Sequence, residues 1–423
     1  VNTTHRPSRS ARTALTATLA AVLALGATQA AGAETPETPR RVTLNPTTAP
    51  DTSQTITWRT AVRTGSVVEH GPAGGGATTT SPAARTGQAG GGFYHRAELT
   101  GLAPGTTYRY RVGDGEAWSG WAEFTTASAT DEPFELLYFG DVQNDITAGA
   151  APVVRAAYDA VPDAALAVHA GDLVNDAESQ SQWDEWYAAQ GDATASMNHV
   201  TTVGNHEYED WDLASVWNHQ FPGTGNGPGD DDLDDTVWFT DYQGVRFVTL
   251  NGNFQAAPWF DVQDWMEDQA AWLDRVLSDN PNEWTVVTYH QPMFGSSEGR
   301  SGVIPRHYWL DVIEEHDVDL VLQGHDHSYG RGGLRANETD RAGVTTGPVY
   351  VVSVTGPKMY EPSRFDWNLG RARVRTQLGD TQTYQVISVD GDTLGYEART
   401  LDGTVVDAFE IDRSGDAKVV RDR

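Results

Sequence analysis

Five short blocks carry side chains able to hold metal ions, and they fall in one order along the chain. They are Gly140-Asp141, Gly171-Asp172, Gly204-Asn205-His206-Glu207, His290 and Gly324-His325-Asp326-His327. Together they offer carboxylates, an amide oxygen and imidazoles. They offer no thiolate, because the chain contains no cysteine. Two cations about 3.5–4 Å apart, sharing one carboxylate and capped by His, Asn and Asp, can be held by such an inventory. That arrangement answers a specific chemical difficulty. A phosphate ester hydrolyses slowly because water is a poor nucleophile and because charge builds on the phosphoryl oxygens. Paired cations generate hydroxide near neutral pH and clamp those oxygens. The His-x-His spacing of His325 and His327 suits a loop turn from which two rings face two different ions. A lone Gly-Asp is common in turns, so the information lies in the order of all five blocks.

Each block closes an apolar, strand-like run: residues 134–141, 164–172, 199–207, 284–292 and 318–327. Helix-like stretches lie between some of them. One is Val153 to Val161; another is Gln263 to Leu277, where Trp265, Ala270, Trp272, Leu273 and Val276 cluster at helical spacing. Strands alternating with helices predict an α/β domain, whose ligands collect at the carboxyl ends of strands. Residues 350–411 return to strand character and read as further strands of the same domain. The region before it, 41–127, reads as short strands, with Gly71 to Gly92 as a long loop. Within it Tyr108, Tyr110 and Val112 alternate after a Pro-Gly turn. A Tyr at such a strand entry matches the tyrosine corner of immunoglobulin-like sandwiches. No chemical cluster falls in this region, so its role is structural or positional.

Composition narrows the setting. Residues 1–33 read as an export signal: Arg6, Arg9 and Arg12 precede an apolar stretch from Ala14 to Gly26, and Ala31-Gly32-Ala33 is a small-residue cleavage pattern. Residues 34–40 read as a linker. The formal net charge is -30, and removal of the signal, which holds three Arg and no acid, takes it to -33. Such a surface repels polyanions, so no nucleic-acid binding is expected. It also repels an anionic substrate, and bound cations would reverse that locally. Beyond the signal no apolar run approaches the roughly 18 residues of a membrane span. Absent cysteines exclude disulfides; a chain of this length can bury enough core without them.

The block order resembles the ordered signature of the calcineurin-like metallophosphoesterases. Residues 41–127 are similar to a fibronectin type III domain of the kind that opens purple acid phosphatases. Residues 236–251, Gln-x-x-Trp-Leu at 269–273 and the closing run 383–411 resemble that branch too. The resemblance therefore covers nearly all of the chain after the signal. It implies an N-terminal all-β sandwich (41–127), an α/β metallophosphoesterase domain built as a β-sandwich flanked by helices (134–411), and a charged tail (412–423). It implies hydrolysis of phosphate monoesters, a small-molecule substrate, and a dinuclear centre of divalent or mixed-valence Fe, Zn or Mn. By motif, Asp141 and His327 bind the first ion, Asp172 bridges, and Asn205, His290 and His325 bind the second. His206 stands outside the metal shell, contacting phosphate and protonating the leaving group. Alternatives on the same scaffold are a phosphodiesterase and a noncatalytic phosphate-binding surface protein.

Two departures bear on the first ion. Purple enzymes have GDxxY, with a ligating Tyr; here the block is Gly171-Asp172-Leu173-Val174-Asn175. The wider superfamily has DxH where this chain has Asp141-Val142-Gln143. Gln143 is expected to fill the gap through its amide oxygen, and a colourless protein follows. Among the remaining candidates, His169 reads as structural, and His199 and His219 as surface or packing residues. Arg300, in the loop 295–302 that follows His290, reads as a solvated loop residue, with contact to a phosphate oxygen as the alternative. Tyr329 and Arg331 follow the last block and read either as packing residues or as its support. The acidic loop 227–235 lacks EF-hand spacing and reads as solvated.

Overall fold

The computed structural model describes residues 1–2, 35–209, 211–256, 261–415 and 417–423. The expected export signal, apart from its first two residues, lies outside them. Two large sheets organise everything from Pro36 onward, which forms one compact unit.

In the first sheet, Phe134–Phe139, Leu166–His169 and Asn198–Thr201 run parallel. In the second, Val245–Thr249, Trp284–Thr288, Leu320–Gln323 and Val349–Val352 run parallel. Near-continuous apolar sequence in these strands reflects burial on both faces. Inner faces meet through Leu136, Tyr138, Leu166 and Val168 on one side and Phe247, Val286, Leu322 and Val351 on the other. Helices Ala151–Ala160 and Gln180–Gln190 cover the outer face of the first sheet with Val153, Val154, Trp183 and Trp186. Helices Val262–Ser278 and Val303–Glu315 cover the second with Trp265, Met266, Trp272, Leu273 and Trp309. Each such side chain, fully buried, contributes roughly 1.5–3 kcal/mol. The result is a β-sandwich flanked by helices, as expected from the sequence. Gln269, in the Gln-x-x-Trp-Leu run, has a different task. Its Oε1 accepts from Asn251 N (2.8 Å) and its Nε2 donates to Asn251 O (3.1 Å), tying this helix to the end of Val245–Thr249.

Strand-rich sequence before residue 127 forms its own small core of Leu44, Ile56, Trp58, Val68, Tyr110, Val112 and Phe124. Ala103 N donates to the Tyr108 hydroxyl at 2.9 Å, the tyrosine-corner bond. One of its two sheets is not separate. Arg40–Asn45 pairs parallel with Asn198–Thr201 at Leu44 and Asn198, extending the first sheet to twelve strands.

Two expectations are corrected. Gly71 to Gly92 is not one long loop, because Thr79–Pro82 and Ala84–Ala89 pair as edge strands within it. Small and polar residues satisfy an exposed edge without leaving an apolar alternation to read. The charged tail likewise contains the strand Val419–Asp422, paired with Val405–Asp412. Lys418 anchors its start through Asp317 (2.7 Å) and Asp319 (3.5 Å).

Candidate metal centre

Parallel strands within each sheet place their carboxyl ends along one edge, and the candidate residues stand there. The first sheet contributes Asp141, Asp172 and Asn205; the second contributes His290, His325 and His327. Oxygen donors thus come mainly from one side and imidazoles from the other. Asp172, His290 and His325 offer ligand atoms that all lie within 4.8 Å of one another, as do Asp141, Asp172 and His327. Asp172 belongs to both groups.

Tight backbone makes this convergence possible. Asp172 (φ 51°) and His325 (φ 71°) occupy the left-handed region, which non-glycine residues adopt mainly where surrounding structure enforces it. A Cβ on Gly171 would meet Gly204 N at 2.7 Å and His290 Nδ1 at 2.8 Å. One on Gly324 would strike the Asp141 carboxylate. The glycines of these blocks therefore let the strand ends close on each other.

Each imidazole has one nitrogen fixed and one turned inward. His290 Nδ1 donates to Ala170 O at 2.7 Å, directing Nε2 toward Asp172 Oδ2 (3.1 Å) and Asn205 Oδ1 (3.2 Å). His327 Nδ1 donates to Lys358 O at 2.9 Å, leaving Nε2 3.2 Å from Asp141 Oδ2. His325 presents Nδ1, 2.9 Å from Asn205 Oδ1, while Arg300 Nη1 meets its Nε2 at 2.9 Å. Backbone carbonyls that fix the outward nitrogen are the usual device for aiming a ligating histidine. His206 stands apart: its N–H donates to Asp172 Oδ1 at 2.9 Å and its Nδ1 to Asn175 O at 2.7 Å. That leaves its Nε2 uncommitted, on a half-buried ring.

Electrostatics mark the space as one that demands positive charge. Burial disfavours the charged form of His290, yet Asp172 and Asp141 carry its pKa up to about 10. Burial opposes ionisation of Asp172, but His290 and His206 hold its carboxyl below the ordinary range. Burial lowers both His325 and His327, keeping them as neutral donors. Asp141 Oδ2 and Gln143 Oε1 are buried acceptors without a hydrogen-bond partner. Orphaned acceptors converging with neutral imidazoles and carboxylates fit a pair of cations, and the donor set is the oxygen-rich one that Mn, Zn and Fe accept. Gln143 is fully buried, with Nε2 2.8 Å from Asp172 Oδ2 and 3.2 Å from His327 Nε2. Rotating that amide by half a turn directs its oxygen to the same place.

Several supporting residues were not singled out by the sequence. Glu207 is fully buried and accepts from Asp172 N (2.8 Å), Leu173 N (2.9 Å) and Gly204 N (2.7 Å). One carboxyl therefore ties two ligand loops together. Burial, then Asp172, pushes its pKa up to about 8. Its spacing, three residues after Gly204, is that of a capping box and is a readable signal. Asp326 receives Ser296 N and Ser297 N, and Asp366 receives Gly295 N (2.7 Å) and Gly302 N (2.9 Å). Both pin the loop that carries Arg300.

Other candidates lie elsewhere. His169 and His199 are buried partners (2.9 Å) between Phe139 and Trp186, so His199 is a core residue rather than a surface one. His219 stacks on Tyr94. Tyr329 and Arg331 join Asp407 in a buried network, at 2.6 Å each. In the acidic loop, Asp232 N donates to Asp230 Oδ1, and Asp235 Oδ1 accepts from Gly223 N.

Strand-end ligands between two parallel sheets define a metallophosphoesterase architecture, and comparison with known sequences agrees. Residues 134–329 match the calcineurin-like phosphoesterase family and form a domain of it. Residues 39–126 match the N-terminal domain of purple acid phosphatases. Purple acid phosphatase 15 of Arabidopsis thaliana is 24% identical over 296 residues, covering 62% of this chain and 53% of that protein. Acid phosphatase type 7 of Homo sapiens is 27% identical over 263 residues, covering 56% and 57%. The chain thus spans about half the length of the curated relatives it matches. A purple acid phosphatase from yellow lupin seeds shares the fold, with TM-score 0.69 at 19% identity, over 89% of this chain and 74% of that one. PhoD also shares it, with TM-score 0.63 at 14% identity, over 90% and 91%.

Proposed function

We propose that this chain is an exported phosphatase that hydrolyses phosphate monoesters at a dinuclear metal centre. One observation carries the reading: two ligand groups, buried at adjoining strand ends, share Asp172. The names of its sequence relatives support phosphatase chemistry, and residues 1–33 support export.

When bound, the two cations supply a nucleophile from water near neutral pH and neutralise the phosphoryl oxygens. Asp141 and His327, with Gln143 through its amide oxygen, hold the first. Asn205, His290 and His325 hold the second. Asp172, which belongs to both groups, would be the carboxylate shared between them, held in place by the His206 N–H at its Oδ1. His206 has its Nδ1 committed to Asn175 O, so Nε2 is the atom that contacts substrate and delivers a proton to the leaving oxygen. Asn175 stands where purple enzymes have Tyr, and its Oδ1 accepts from Asn144 Nδ2 at 2.6 Å. That position therefore offers no phenolate to the first ion, and the coloured ferric site of the purple enzymes is not expected.

The test is nitrophenyl phosphate hydrolysis after chelation, with Mn, Zn, Fe or Ca restored singly, for the native protein, Asp172→Ala and His206→Ala. Activity returning with a particular ion and lost in both variants supports the reading. A parallel bis-nitrophenyl phosphate assay separates monoesterase from diesterase. Inertness toward both esters, with two ions bound, would favour a phosphate-binding protein instead.

A further inference from the structure

His206 is aimed by a backbone carbonyl, and the residue that owns this carbonyl is held from two sides. The aiming bond runs from His206 Nδ1 to Asn175 O, at 2.7 Å. Asn175 is half-buried, on the short connection between Asp172 and the helix Gln180–Gln190. Its backbone N–H and that of Asp176 both donate to Gln182 Oε1, at 2.8 and 3.0 Å. Its side-chain Oδ1 accepts from Asn144 Nδ2 at 2.6 Å.

Both clamps stand on fixed ground. Gln182 lies in the first turn of its helix, beside the fully buried Trp183. The Trp183 indole N–H donates to Ala177 O at 2.8 Å, tying that turn to the connection it follows. Asn144 lies on the loop after Asp141, where Val142 N and Gln143 N donate to Asp172 O at 3.2 and 3.1 Å. Asn144 (φ 69°) and Asp145 (φ 44°) are consecutive left-handed residues. Asn and Asp tolerate that region better than other side chains, and it persists where surrounding bonds enforce it. Gln182 spends its carbonyl oxygen on two backbone N–H groups, so its effect on chemistry must pass through Asn175. An imidazole held at Nδ1 by one carbonyl moves when that carbonyl moves. A displacement of about 1 Å at a reacting group can cost roughly 100-fold in rate.

Resting on the phosphatase reading, we propose that Gln182 and Asn144 are positioning residues for proton delivery. Through Asn175 they fix where His206 Nε2 points, and so set how well the protein cleaves esters whose leaving group needs a proton. As the P–O bond to that group breaks, the departing oxygen takes the proton from Nε2, and the attacking water supplies the new oxygen on phosphorus.

Two esters separate this role from general support of the fold. Glycerol phosphate expels a strongly basic alkoxide oxygen, whereas nitrophenyl phosphate expels one that leaves without a proton. In Gln182→Ala, kcat on glycerol phosphate should fall about 10- to 100-fold and kcat on nitrophenyl phosphate about threefold or less, with KM and metal content unchanged. Gln182→Glu keeps an acceptor for both N–H groups and should restore the native ratio. Asn144→Gly suits the left-handed backbone, removes only the amide and should give the same pattern, so the test survives if Gln182→Ala does not fold. Adding Gln182→Ala to His206→Gln should cost nothing more, because the group it positions is already gone. Nitrogen NMR of the histidines in the zinc-loaded protein reads the aim without turnover. A single Nδ1-protonated His206 signal, identified by its loss in His206→Gln, should give way to several in Gln182→Ala. A ratio of the two esters unmoved in Gln182→Ala and Asn144→Gly would overturn the inference while leaving the phosphatase reading intact. So would a further loss when Gln182→Ala is added to His206→Gln. A native protein inert toward both esters would remove the phosphatase reading, and this inference with it.

Discussion

Replacing Glu207 with Gln changes one atom of a carboxyl that holds three backbone N–H groups. Oε2 receives Asp172 N and Gly204 N, and Oε1 receives Leu173 N. An amide has a single acceptor oxygen, so at least one of these donors must face an NH2 group. A buried donor left unpaired costs about 1–3 kcal/mol, and each remaining bond loses about 1 kcal/mol on becoming neutral. Above about pH 8, where the Glu207 carboxyl is ionised, the expected destabilisation is therefore about 3–5 kcal/mol, a large part of a typical total of 5–15 kcal/mol. The same change loosens the loops of Asp172 and Asn205, so metal affinity should fall about 10- to 100-fold. Urea unfolding at fixed metal concentration reads the first effect as a lower midpoint with an unchanged slope. Competition against a chelating dye reads the second. Native stability and native metal affinity in Glu207→Gln would refute the reasoning. They would mean that the carboxyl is held protonated, as its raised pKa permits, and serves as a neutral bridge that Gln can imitate.

Acid should unfold this protein through its core. Burial depresses His199 to about 4 and His169 well below its ordinary value, so between about pH 6.5 and 4 the unfolded chain binds more protons than the folded one. Stability is then complete above pH 6.5 and falls by up to roughly 3 kcal/mol per histidine as pH drops toward 4. Urea unfolding of His199→Asn across that range should show a slope shallower by about one proton; an unchanged slope would exclude the pair as the cause. The metal-loaded protein should lack a strong visible band, since Asn175 replaces the ligating Tyr. Intense absorption between the near ultraviolet and the red would contradict the donor set given for the first ion.

Sequence and structure agree most closely where chemistry and backbone geometry coincide. The five blocks were readable because each follows an apolar run and four of them carry a glycine at the strand end. Tyr108 was readable because a corner needs one aromatic at one place. What escaped notice depends on partners distant in sequence. Glu207 sits in the third block, but its bonds to Asp172 N and Leu173 N come from the neighbouring strand end and have no sequence signal. Asp326 and Asp366 act on a loop that neither follows directly. His169 and His199 meet because two parallel strands are neighbours, a fact of topology rather than of composition. The edge strands Thr79–Pro82 and Ala84–Ala89 have no apolar face to betray them.

Metal content per chain tests the central claim most directly. The native protein, loaded and then freed of excess ions, should retain two transition-metal ions by mass spectrometry of the metals. Asp172→Ala should lose the greater part of both, whereas His325→Ala and His327→Ala should each chiefly lose one. A native content of one or none, or two ions that survive Asp172→Ala, would contradict a dinuclear centre bridged by that carboxylate.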